Sequence, residues 1–259
     1  MLALVTGASS GIGLKYATAL ARDYHTDLLL VSNQEKEIVE TAETLASTYN
    51  VKTIPLYRDL AKDDAAEELH QYCLDNNIVV DILVNNAGVF FFNDYTKTNM
   101  PRIELMLKLH IVTLSKLCRL FGEDMCQRGS GYILNMSSMS AWMAFPGIQT
   151  YNATKAYILN LSKSLWYEFK PYNVGITVIC PGAVDTGLYG LSPYWRRVAV
   201  RLGVSMPPEK LVSKALKAMF RRKKMIMPGA VNHIFIPFIK HLPDWAVMLL
   251  IKYVSKFEK

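Results

Sequence analysis

The stretch Leu2-Ala3-Leu4-Val5-Thr6-Gly7-Ala8-Ser9-Ser10-Gly11-Ile12-Gly13 decides the fold. An apolar run reads as a buried strand, glycines at 7, 11 and 13 follow at once, and a helical pattern then continues to residue 23. Strand, glycine turn and helix in that order can cradle phosphate. Gly7 would permit the tight turn, Gly11 would let backbone approach a pyrophosphate, and Gly13 would let the helix pack closely on the sheet. The helix N-terminus would offer unpaired N–H groups to the phosphates. A glycine motif standing alone serves about as often as a plain strand-to-helix turn, so its neighbours decide.

Outward from this stretch, β-rich runs alternate with helical patterns. Strands are expected at 2–6, 27–32, 52–57, 80–85, 131–137, 174–180 and 224–227, and helices at 11–23, 35–48, 62–76, 100–128, 151–170 and 208–222. That order describes repeated βαβ units, hence an α/β protein with a doubly wound parallel sheet. No linker, repeat or low-complexity segment interrupts it. One domain is expected, with residues 1–229 forming the nucleotide-binding unit and 230–259 an amphipathic C-terminal extension of it. Residues 186–206 break the alternation with Gly187, Gly190, Pro193 and Gly203, as a substrate lid beyond a strand end would.

Composition narrows the classes. With 51% apolar residues in 259, a large core can form. Cys73, Cys118, Cys126 and Cys180 show no C-x-x-C spacing, so neither a disulfide framework nor a metal site is expected. Met1–Val5 lacks the basic start and cleavage site of a signal peptide. A cytoplasmic protein is expected. The net charge of +7 is uneven: residues 1–193 carry 15 Lys/Arg against 19 Asp/Glu, whereas 194–259 carry 14 against 3. No nucleic-acid motif accompanies the basic quarter, so an anionic membrane surface or an acidic cosubstrate is the better partner.

Further motifs stand at strand ends. Asp59-Leu60 follows the third strand and Asn85-Asn86-Ala87-Gly88 ends the fourth, along the crevice where open α/β sheets bind ligands. Each alone could be a turn or cap. Ser138 ends the fifth strand, and Tyr151 and Lys155 lie one helical turn apart. With Pro181-Gly182 and Thr186, these motifs make residues 1 to about 186 resemble the short-chain dehydrogenase/reductase family. The resemblance implies a single-domain Rossmann fold with a seven-stranded parallel sheet, and NAD(H) or NADP(H) as cofactor. It implies cofactor contacts from Gly7, Ser9, Ser10, Gly11, Ile12 and Gly13, from Ser32 and Asn33, and from Asp59 and Leu60. Further contacts would come from Asn86, Ala87 and Gly88, from Tyr151 and Lys155, and from Pro181, Gly182, Val184 and Thr186. Asp59 would meet the adenine, Asn86 and Gly88 the adenosine ribose, and Thr186 the nicotinamide carboxamide or phosphates.

Cofactor choice turns on Ser32 and Asn33, at the end of the second strand. NAD enzymes commonly place a carboxylate there and NADP enzymes an Arg. This chain has neither, and losing the carboxylate tilts the choice to NADP(H). Ketone reduction needs a hydride on carbon and a proton on oxygen. The nicotinamide gives the first, and Tyr151 would give the second, its proton loosened by the Lys155 ammonium on the same helical face. Ser138 would hold the substrate oxygen. Where the family commonly has an Asn that helps hold a water on the proton path, this chain has His110. It would either support the same water chain or be a bonded core histidine.

Phe90, Phe91, Phe92, Met139, Trp142, Met143, Phe145, Leu188, Tyr189 and Trp195 are candidates for an apolar substrate pocket, about half of them being claimed by the core. A 3-oxoacyl chain, a sphingoid-type long-chain ketone or a steroid would fit. In a helix from Asp244 onward, Val247, Leu250, Ile251, Val254 and Phe257 share one face and Lys252, Lys256 and Lys259 the opposite one. Such a helix either lies at a membrane interface or packs on its own domain or on a partner subunit. A homodimer or homotetramer is expected.

Overall fold

The computed structural model describes residues 1–185 and 205–229, together with Pro243 and Met248. Within them, β1 (Leu2–Thr6), β2 (Asp27–Ser32), β3 (Thr53–Tyr57), β4 (Ile82–Asn85), β5 (Gly131–Met136), β6 (Val174–Ile179) and β9 (Met225–Ile226) form one parallel sheet in the order β3-β2-β1-β4-β5-β6-β9. This is the Rossmann-like α/β fold that the alternation predicts. A separate two-stranded ladder pairs β7 (Ala183–Val184), just before the expected loop, with β8 (Ser205–Met206), at its end. Pro55 stands in edge strand β3, the one place where a missing N–H costs the sheet little.

The sheet is buried on both faces, and the side-chain period of two assigns residues to each layer. Ala3, Val5, Leu28 and Leu30 point to the side covered by α1 (Gly11–Tyr24), α2 (Glu35–Tyr49) and α7 (Pro208–Phe220), where Tyr16, Leu20, Ile38, Leu211 and Leu216 join them. Leu4, Leu29 and Val31 point to the other side, under α3 (Ala65–Asp75), α5 (Leu114–Arg128) and α6 (Gln149–Phe169). A buried polar chain then fastens α6 to the sheet. Asn85 Nδ2 donates to Asn135 Oδ1 at 2.8 Å, Asn135 Nδ2 donates to Ser162 Oγ at 2.9 Å, and Ser162 donates to Ile158 O at 2.6 Å.

The helix expected over 100–128 forms without a break but is not α-helical throughout. It divides into α4 (Met100–Leu107), a π-helical turn (Lys108–Thr113) and α5. Such turns insert one residue into the helical ladder and cluster at functional sites, and this one contains His110. The helix expected from 62 starts at Ala65, because residues 59–62 form a turn in which Asp59 Oδ1 accepts the Ala61 N–H at 3.0 Å. No described helix is long and apolar enough to cross a membrane. The expected C-terminal helix lies outside the described residues, apart from Met248.

Candidate active site

A cavity of about 510 Å³ opens at the carboxyl ends of the strands, over the point where β1 sits between β2 and β4 and the strand order reverses. The turn after β1 is built as its glycines require. Gly7 and Gly11 adopt φ of +65° and +55°, and a Cβ on Gly13 would stand 2.0 Å from Gly7 O. At Gly11 nothing lies within 4 Å of where a Cβ would be, so its backbone faces open space. Ser10 takes the N-cap position of α1 with no side-chain cap bond, leaving the first N–H groups of the helix to whatever enters the cavity. Volume, clearance and free donors together fit a dinucleotide.

Thr6 joins the two strands beneath the cavity. Its Oγ1 accepts the N–H groups of Asn86 and Ala87, each at 3.0 Å, while Asn86 Nδ2 donates to Thr6 O at 3.0 Å. Asn86 therefore holds the glycine turn as well as lining the cavity. Asp59 likewise caps its own turn and lines the cavity beside Leu60. At the rim near β2, Ser9 Oγ lies 2.8 Å from Ser32 Oγ and donates to Gln34 Oε1 at 2.7 Å. Asn33, Gln34 and Arg58 border the same cavity. Sequence reading overlooked Gln34 and Arg58, although Arg58 immediately precedes Asp59 at a strand end.

Ser138, Tyr151 and Lys155 all line the cavity. Ser138 Oγ accepts the Ser140 N–H at 3.1 Å, which leaves its own proton free to point elsewhere. Lys155 is almost wholly buried, its Nζ donating to Met136 O at 2.9 Å and lying 5.3 Å from the centre of the Tyr151 ring. Burial depresses the Lys155 pKa to about 8, Cys180 nearby pulling weakly the other way. The Lys155 carbonyl accepts the Ser137 hydroxyl at 2.7 Å, so both ends of this residue are tied to the end of β5.

His110 is bonded at both ring nitrogens. Its Nε2 accepts the Val89 N–H at 3.1 Å, so Nδ1 carries the proton and gives it to Thr154 Oγ1 at 2.9 Å. The Thr154 hydroxyl then donates to Tyr151 O at 2.9 Å. The ring packs edge-on against Tyr151, and only a glycine at 88 clears it, a Cβ there standing 2.5 Å from Nε2. Burial, with a smaller push from Lys155, drives the His110 pKa well below 6.5.

Of the aromatic candidates, Phe90 lines the cavity and packs edge-on to Tyr151 with ring centres 5.0 Å apart. Leu105 and Leu109 from the α4 and π-turn region also line it. Trp142 packs instead into the core, and Phe91 lies under the Arg102 guanidinium. Pro181, Gly182, Val184, Ile12, Ala87 and Gly88 border the cavity. Thr186, Leu188, Tyr189 and Trp195 lie outside the described residues. Among the described residues no cluster of three His, Cys, Asp or Glu could hold a metal ion.

This chain belongs to the short chain dehydrogenase family, whose sequence profile matches residues 1–195. It is 29% identical over 244 residues to the probable oxidoreductase EphD of Mycobacterium tuberculosis, a match covering 88% of this chain but only 41% of EphD. It is 31% identical over 188 residues to very-long-chain 3-oxoacyl-CoA reductase-A of Danio rerio, covering 71% of this chain and 58% of that protein. A solved short-chain dehydrogenase from Sphingobium yanoikuyae in complex with NADPH superposes with a TM-score of 0.79 at 26% identity, covering 100% of this chain and 96% of the other.

Two pH dependences follow from these burials. Between about pH 8 and 10.5 the unfolded chain holds the Lys155 proton and the folded chain does not, so stability rises with pH through that window. Lys155→Met should therefore be the more stable protein at neutral pH, by on the order of 2 kcal/mol. Thermal melts should show that advantage shrinking as pH approaches 10.5. His110 acts at the other end: the unfolded chain takes up its proton below 6.5 while the fold resists it, so stability is complete above 6.5 and lost as pH falls. In urea titrations His110→Gln should lose less stability than wild type between pH 6.5 and the acid limit of the fold.

Proposed function

We propose that this chain interconverts a ketone and a secondary alcohol, prefers NADP(H) to NAD(H), and acts on a lipophilic substrate. One observation carries the reading: Ser138, Tyr151 and a buried Lys155 border the same cavity as the glycine turn. In the reductive direction the bound nicotinamide supplies the hydride. Tyr151 gives its phenolic proton to the carbonyl oxygen, and Ser138, whose Oγ already accepts from Ser140, donates to that same oxygen and orients it. The Lys155 ammonium stabilises the phenolate left behind, and its bond to Met136 O holds it in place. The oxidative direction runs the same proton back to Tyr151. His110 shapes this arrangement by tying the Val89 backbone to the helix that carries Tyr151.

Phe90, Leu105 and Leu109 give the substrate end an apolar lining, which supports a 3-oxoacyl, long-chain or steroid ketone. The likeness to a very-long-chain 3-oxoacyl-CoA reductase supports the same class. Ser32 carries no negative charge to repel a 2′-phosphate, and the NADPH-bound relative supports that choice of cofactor.

Screening the protein with NADPH against ketones of these three classes should reveal turnover. On the best of them Tyr151→Phe should lose about 10²–10⁴-fold in kcat while leaving cofactor binding nearly intact. A near-normal kcat would remove Tyr151 from the chemistry. Fluorescence titration should show NADPH binding more tightly than NADH. Ser32→Asp should reverse that order by adding a ribose acceptor and repelling the phosphate.

A further inference from the structure

We propose that Arg58 is the cation that binds the 2′-phosphate of the cofactor, at the rim that Ser9 and Ser32 line; this rests on the NADP(H) reading above. A phosphate carrying close to two negative charges needs a positive partner, and the positions after β2 offer none, since Ser32 and Asn33 are neutral. Lys36, the nearest lysine in sequence, is highly exposed, sits 3.8 Å from Glu40 and does not border the cavity.

Arg58 reaches this rim from the neighbouring strand. It follows β3 directly, and its N–H donates to Ser32 O at 2.8 Å, so its backbone stands beside the end of β2. Arg58 lines the cavity with Ser9, Ser32 and Gln34. Glu68 of α3 clamps the guanidinium through Nη1. The side chain is only 24% exposed, and its Nε is fully buried without a hydrogen-bond partner.

Glu68 engages Nη1, so the guanidinium keeps further donors for a second acceptor. A phosphate oxygen is the acceptor that a guanidinium edge fits best, often through two N–H groups at once. The rim beside it is already organised: the Gln34 N–H donates to Ser32 Oγ at 3.1 Å, and Ser9 bridges Ser32 and Gln34. Asp59, the adjoining carboxylate, is turned to the Ala61 N–H. Glu68 thus positions the arginine, and Arg58 supplies the charge that this rim otherwise lacks.

Calorimetric titration with 2′,5′-ADP and 5′-AMP isolates this contact, because the two probes differ only in the 2′-phosphate and neither needs turnover. Wild type should bind 2′,5′-ADP more tightly. Arg58→Gln should weaken 2′,5′-ADP by on the order of tenfold or more while leaving 5′-AMP unchanged. Arg58→Lys, which keeps the charge but not the fork, should retain part of the preference, and Lys36→Ala all of it. Thermal melts establish that each variant is folded; if Arg58→Gln is not, Arg58→Lys decides the matter by losing part of the preference or none. A folded Arg58 variant with the wild-type ratio of the two affinities overturns the role of Arg58 and leaves the NADP(H) reading standing. Wild type that binds 5′-AMP as tightly as 2′,5′-ADP overturns both.

Discussion

Everything at the mouth of the sheet depends on how Thr6 closes the gap between β1 and β4. At the switch point the chain leaves neighbouring strands in opposite directions, and their backbone ends would face solvent unpaired. Thr6 Oγ1 takes the N–H groups of Asn86 and Ala87 and gives its own proton to Val84 O, while the Asn86 amide returns to Thr6 O. Gly13 completes the arrangement by having no side chain where Gly7 O and Asn86 must pass. A crevice with fixed walls is the result, and the same bonds that close the fold aim backbone donors at a ligand.

The second constraint is electrostatic and works against stability. Burying the Lys155 ammonium removes it from water, and one carbonyl, Met136 O, returns only part of that loss. The depressed pKa records the imbalance. A chain selected only for stability would place an apolar residue there. The reading of Tyr151 as proton donor explains the retention, because an ammonium in a dry site acts on a neighbouring phenol far more strongly than one in water.

His110 shows how a side chain can serve the site without touching the reacting atoms. The π turn brings its ring between the segment after β4 and the helix that carries Tyr151, and both nitrogens are spent on that bridge. The extra residue in the helical ladder is tolerated because these bonds and the edge-on contact with Tyr151 offset the disturbed helix.

The order of strands and helices, the crevice position and most of the cavity lining were legible in the sequence, because each rests on local signals. Apolar runs with period two mark buried strands, glycines mark turns with positive φ, and residues four apart share a helical face. Boundaries shifted where local bonds intervened, as where Asp59 capped a turn and delayed α3. The π turn within 100–128 left no mark in the pattern, since one inserted residue hardly alters apolar periodicity across so long a helix. Nor could sequence alone give His110 its two hydrogen-bond partners or place Arg58 beside Ser32. Those depend on which strands pair and which helix crosses above them, and contacts between residues 21, 26 or 44 positions apart exist only once the sheet has assembled.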